Sequence, residues 1–126
     1  MISTEKVELV KLVECPRDAM QGWPDFIPTE KKIEYLNALL QVGFDSLDFG
    51  SFVSPKAIPQ MADTKQVISE IDPGNSNTRL LAIVANTRGA EDAAVFIFRW
   101  LKYNSAGAIA EYHADISSSC TVVESE

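Results

Sequence analysis

RLLAIVA, residues 79–85, is an unbroken apolar run behind a single arginine. A strand covered on both faces reads this way, whereas a strand wet on one face alternates. Such strands belong to parallel sheets, whose connections are helices laid across the faces. The flanking sequence supplies those helices. Downstream, Ala90, Ala93, Ala94, Ile97, Trp100 and Leu101 recur at helical spacing. Upstream, Val67, Ile68 and Ile71 form a second apolar stripe, with Asp63 as its cap, Gln66 as the capping-box partner and Pro73-Gly74 as its stop. Before that, DSLDF (residues 45–49) predicts a short strand. A further helix opens at Thr29 as N-cap, carries Ile33, Leu36, Leu39 and Leu40, and ends at Gly43 as C′ residue. The first strand is predicted over residues 7–14, VELVKLVE, and stops at Cys15-Pro16. Residues 16–28 and 50–62 are rich in proline and predict loops.

The order is therefore β-α-β-α-β-α, which favours a parallel sheet with right-handed crossovers in one domain, residues 1–126. Residues 104–126, rich in Ala and Ser, follow no clear period. They leave open a short helix at 108–114 or a strand at 120–123.

Charge and composition exclude several classes. Eleven basic residues stand against 18 acidic ones, a net charge of −7, which argues against a sequence-independent grip on nucleic acid or on an anionic membrane. No apolar run approaches the roughly 20 residues of a membrane span. The first ten residues, MISTEKVELV, carry acids and lack the apolar centre of a secretory signal. Two cysteines, Cys15 and Cys120, make no disulfide framework. The expected location is the cytoplasm.

Ligands of parallel α/β sheets bind beyond the carboxyl ends of the strands. Two segments at that address carry chemistry. In CPRDAMQ, residues 15–21, Arg17 offers a fork of donors to a carboxylate, carbonyl or phosphate oxygen. Asp18 is a hard oxygen ligand suited to Mg²⁺ or Mn²⁺, and Gln21 bonds with either partner. The plainer alternative is an Arg/Asp pair bracketing a turn. In GSFVSPK, residues 50–56, Ser51, Ser54 and Lys56 suit a phosphate or a substrate oxygen, or else stabilise turns. Asp48, the last side chain expected on its strand, is a second acid or a bracket. Asn86, in NTRG after the third strand, presents donors or caps the following helix. Cys15 lies beside Arg17, but no histidine-based triad accompanies it, and His113 stands alone. There is no P-loop, GxGxxG, CxxC or HExxH.

Taken together, VKLVECPRDAMQ (10–21), LDFGSFVSPKAIPQMAD (47–63) and AIVANTRGAEDA (82–93) resemble hydroxymethylglutaryl-CoA lyase. The middle segment is the most specific, and the likeness runs over residues 7–96. The resemblance implies a (β/α)8, TIM-type barrel that binds a divalent cation, Mg²⁺ or Mn²⁺. The implied reaction cleaves hydroxymethylglutaryl-CoA, an acyl-CoA substrate, to acetyl-CoA and acetoacetate. On that basis Asp18 is the metal ligand, Arg17 steadies the developing enolate, Gln21 lines the same site, and Asp48 stands where many members carry Glu. Ala19 and Met20 replace a more common Gly-Leu. The family's His-x-His pair, asparagine ligand and catalytic cysteine find no match, and residues 98–126 depart from its pattern. A full barrel takes about 250 residues. The expectation is thus an α/β, incomplete barrel of about three βα units with an irregular tail, from a truncated or frame-shifted lyase. Such a chain is inactive alone, or is a partner-binding half-barrel that self-associates through its open sheet edge.

Overall fold

A computed structural model describes residues 8–104 and 121–124. Strand β1 (Val13–Glu14) is followed by helices α1 (Pro16–Gln21) and α2 (Thr29–Leu40), and then by β2 (Ser46–Ser51). A 3₁₀ turn (Pro59–Met61) leads into α3 (Thr64–Glu70), β3 (Arg79–Val84), α4 (Thr87–Asn104) and β4 (Thr121–Glu124). The sheet order is β1-β2-β3-β4. The first three strands are parallel, and β4 runs antiparallel along the outer edge of β3.

One core joins the sheet to its helices. Leu47 and Phe49 of β2 and Leu80, Ala82 and Val84 of β3 meet Leu36 and Leu40 of α2. Val67 and Ile68 of α3, Ile71 just beyond it, and Ala90 and Ala93 of α4 complete the cluster. Each large apolar side chain fully buried there contributes about 1.5–3 kcal/mol. The opposite face of β3 is less covered, since Leu81 and Ile83 are only half-buried. The helices therefore shield one face of the apolar run, not both.

Several local expectations are corrected. The first strand pairs only at Val13 and Glu14, while Leu9, Val10 and Leu12 are exposed. Residues 16–21, read as loop, form α1, because Pro16 falls at a first helical position, where its missing N–H is not needed. Pro28, not Thr29, is the N-cap of α2, and that helix ends at Leu40, so Gly43 (φ +92°) lies beyond its C′ position. Asp63 precedes α3 without capping it through its side chain, and Gln66 bonds Glu70 instead. The predicted strand at residues 120–123 corresponds to β4, one residue further on. The alternative helix at 108–114, together with His113 and Cys120, lies outside the described residues.

An irregularity in β2 arranges the site. Asp48 pairs with Leu81, but Gly50, not Phe49, pairs with Ala82, and Ser51 pairs with Ile83. The extra residue sends both Phe49 and Gly50 to the helix face and returns Ser51 to the face of Asp48. Gly50 is required there by space, because a Cβ would lie 2.7 Å from the Thr64 Cγ2. Gly50→Ala is expected to destabilise the fold by about 1–3 kcal/mol. Adding Thr64→Ser, which removes that methyl and keeps the hydroxyl bonded to the Ser51 N–H, should recover part of the loss in urea denaturation.

At the opposite end of the strands, Arg79 pairs with Asp45. The Arg79 guanidinium, and after it the Ser46 hydroxyl, hold the Asp45 carboxyl below the usual aspartate range. A depressed carboxyl contributes stability above its unfolded value and loses it as pH falls through the folded one. Thermal unfolding below about pH 4 should therefore be less steeply pH-dependent in Asp45→Asn than in the wild type.

Candidate active site

The end of β1 and the helix after it carry Arg17, Asp18 and Gln21 to the edge of β2. Arg17 Nε donates to Asp48 Oδ1 (3.1 Å) and Oδ2 (2.9 Å), and Nη2 lies 2.8 Å from Oδ2. Nη1 donates to Gln21 Oε1 at 2.9 Å, one helical turn on. The Arg17 and Asp48 side chains are 12% and 11% exposed, whereas Asp18 is 76% exposed and 3.8 Å from Arg17 Nη1. The guanidinium is thus locked along one edge by a carboxylate and steadied at the other by an amide. Burial pushes the Asp48 carboxyl above its usual value, and the Asp18 charge adds to that, against the pull of Arg17.

The second segment divides. Ser51 is buried, and its Oγ accepts the Val53 N–H, while the exposed Ser54 accepts the Lys56 N–H. Both serines therefore stabilise turns, and Lys56 is exposed. Asn86 Oδ1 accepts the Gly89 N–H at 2.8 Å and so caps α4. The α4 terminus sits close to the β2 loop, since a Cβ on Gly89 would lie 2.9 Å from the Phe52 carbonyl oxygen. Asp48 is not the last residue of its strand, which continues to Ser51. Cys15 is exposed at the start of α1.

The sequence reading missed a buried polar cluster beneath these loops. Lys32, 2% exposed, donates to the Gln60 carbonyl and to Asp63 Oδ1 (2.7 Å), and its ammonium lies 4.1 Å from the Phe26 ring centroid. Asp63 Oδ2 also accepts the Thr29 hydroxyl. The Gln60 amide donates to the carbonyls of Trp23 and Asp25 and accepts the Ile27 N–H. The signal was available: Lys32 falls in the apolar stripe of α2, one turn before Leu36.

Among the described residues no three His, Cys, Asp or Glu side chains converge as metal ligands. Asp18 stands within the site as an exposed carboxylate.

These elements define the class: consecutive strand–helix units of a (β/α)8 barrel, with a buried Arg–Asp pair at the carboxyl ends of the strands. Comparison with known proteins makes this specific, and the chain is similar to hydroxymethylglutaryl-CoA lyases over their N-terminal portion. It is 40% identical over 89 residues to the cytoplasmic 3-hydroxy-3-methylglutaryl-CoA lyase of Rattus norvegicus, covering 68% of this chain and 25% of the rat protein. The crystal structure of the Bacillus subtilis HMG-CoA lyase superposes with a TM-score of 0.65 at 38% identity, over 69% of this chain and 29% of that one. An Acinetobacter baumannii HMG-CoA lyase, in complex with coenzyme A and 3-methylmalate, gives a TM-score of 0.62 at 35% identity, over 71% and 29%. The chain spans between a quarter and about a third of the length of the curated relatives it matches. No model of a known protein family matches it.

Asp48→Ala should destabilise the protein by about 2–3 kcal/mol, since it leaves the Arg17 charge largely buried without its partner. Asp48→Glu, which keeps a carboxylate, should lose less. Denaturant midpoints compare the two.

Proposed function

We propose that this chain supplies the N-terminal part of a hydroxymethylglutaryl-CoA lyase site. The observation that carries the reading is the Arg17–Asp48–Gln21 constellation, in segments that match those lyases. The substrate is an acyl-CoA, hydroxymethylglutaryl-CoA, cleaved to acetyl-CoA and acetoacetate, and the location is cytoplasmic, as for the rat relative.

Cleavage leaves negative charge on an acyl oxygen. Asp48 and Gln21 engage all three nitrogens of the Arg17 guanidinium, so that its remaining N–H groups are held in place before charge develops. Donors held in place before charge develops are worth most in a water-poor site. A divalent cation, Mg²⁺ or Mn²⁺, supplies further charge stabilisation when bound. Asp18 is its one ligand from this segment, and the others come from residues outside the described ones. Ser51, Ser54 and Asn86 border the substrate while holding the loops that carry them, and Lys56 borders it from an exposed position.

Residues 1–126 contain one histidine, His113, and so hold no His-x-His pair. We propose that they are inactive alone. A second reading is favoured by the exposed Leu9, Val10 and Leu12 just before β1 and Val13 at its start: a non-catalytic half-barrel that self-associates, or binds a partner, through the open sheet edge there. Sedimentation at several concentrations separates the two, a strict monomer counting against association.

Residues 1–126 with hydroxymethylglutaryl-CoA and Mg²⁺ should release no acetoacetate. A chimera carrying residues 8–96 in place of the matching segment of the Bacillus subtilis enzyme should release it, and Arg17→Ala in that chimera should lower kcat by about 10²–10³-fold. A folded but inactive chimera refutes the assignment.

A further inference from the structure

Helix α1 carries Arg17 and Gln21, yet little in the helix itself fixes where it lies. It has six residues, too few to persist alone. The strand before it pairs with β2 at Val13 and Glu14 only. Pro16 and Met20 give it a small buried face. A guanidinium that meets a carboxylate 31 positions away needs its helix held from the far end as well.

Gln60 makes that second attachment. It lies in the 3₁₀ turn after β2 and is 6% exposed. Its side-chain Nε2 donates to the carbonyls of Trp23 (3.2 Å) and Asp25 (2.8 Å), and its Oε1 accepts the Ile27 N–H at 2.9 Å. A primary amide has two N–H donors, and the chain leaving α1 uses both. The bond to Trp23 continues into the helix, because the Trp23 N–H donates to the Met20 carbonyl at 3.0 Å. Gln21, whose Oε1 accepts from Arg17 Nη1, lies within that turn. Gln60 is held in turn through its own carbonyl, which accepts from the buried Lys32 ammonium. A run of hydrogen bonds thus passes from α2 through Gln60 to the last turn of α1 and on to the guanidinium.

We propose that Gln60 is a positioning residue for Arg17. By holding residues 23–27 it keeps the last turn of α1 seated, and with it the guanidinium on Asp48. It acts through α1 rather than by contact with a substrate. The value of that placement to catalysis rests on the lyase reading; the clamp itself does not.

Nuclear magnetic resonance of the full chain tests this through the Arg17 Nε–H, which donates to both Asp48 oxygens and is identified by its loss in Arg17→Lys. Gln60→Met keeps similar bulk and removes the three side-chain bonds. In that variant the Arg17 Nε–H should exchange with water about tenfold faster and shift toward the position of a free arginine. Gln60→Glu, which keeps the acceptor for Ile27 and removes both donors, should do the same. Val67→Ala, a substitution in the core on α3, should lower the urea midpoint and leave the Arg17 shift at its wild-type position. An unchanged Arg17 signal in folded Gln60→Met or Gln60→Glu overturns the proposal and leaves Gln60 with a role in stability alone. Should neither variant fold, the wild type decides. In dilute urea its Ile27 N–H and Arg17 Nε–H should exchange through one shared opening, of lower free energy than the opening of β2 and β3. Separate openings, or opening only with those strands, overturn the proposal. The lyase reading is scored apart, by acetoacetate release from the chimera. In an active chimera Gln60→Met should lower kcat by about tenfold and hold KM within about twofold. An inactive chimera removes the lyase reading and leaves the clamp to the resonance data.

Discussion

A lysine ammonium with almost no access to water is tolerable only where its charge is matched and its donors are used. Lys32 meets both conditions through Asp63 and the Gln60 carbonyl, with the Phe26 ring against its cation. Four stretches of chain converge on that point: the start of α2, the loop at residues 22–28, the 3₁₀ turn, and the residue before α3. The first of those loops follows the helix that carries Arg17, and the 3₁₀ turn follows the strand that carries Asp48. A buried ion pair adds little net stability over a well-packed apolar substitute. Its effect here is geometric, since it fixes the separation of the two connections that flank the site.

The broad order of strands and helices was legible because each element has its own period. The continuous run at 79–85 and the stripe ending at Leu101 announce their types directly. What misled was chemistry with two uses. A proline at residue 16 stops a strand and equally starts a helix, and the second use prevailed. Asp63 has the spacing of a cap, yet its carboxylate serves Lys32 and Thr29, where a buried cation outweighs an exposed backbone N–H.

The site was legible as an address rather than as contacts. Residues 15–21 and 50–56 stood out by content and position, and Arg17, Gln21 and Asp48 do meet. Long-range pairing is what a single sequence hides: nothing local tells that Arg17 spans 31 positions to Asp48, or that Lys65 reaches Asp92. Ser54 and Asn86 show the reverse case, in which polar side chains at the right address are taken up by the backbone of their own loops.

The extra residue in β2 has an evolutionary consequence. Asp48 and Ser51 keep one face while Phe49 and Gly50 both fill the other, so the strand has a length reserve at Phe49. A deletion there would leave Asp48, Gly50 and Ser51 opposite Leu81, Ala82 and Ile83 in ordinary alternation, thinning the core without turning Asp48 or Ser51 toward the helices. A change of length at that point would thus alter packing while leaving Asp48 and Ser51 on the face they share.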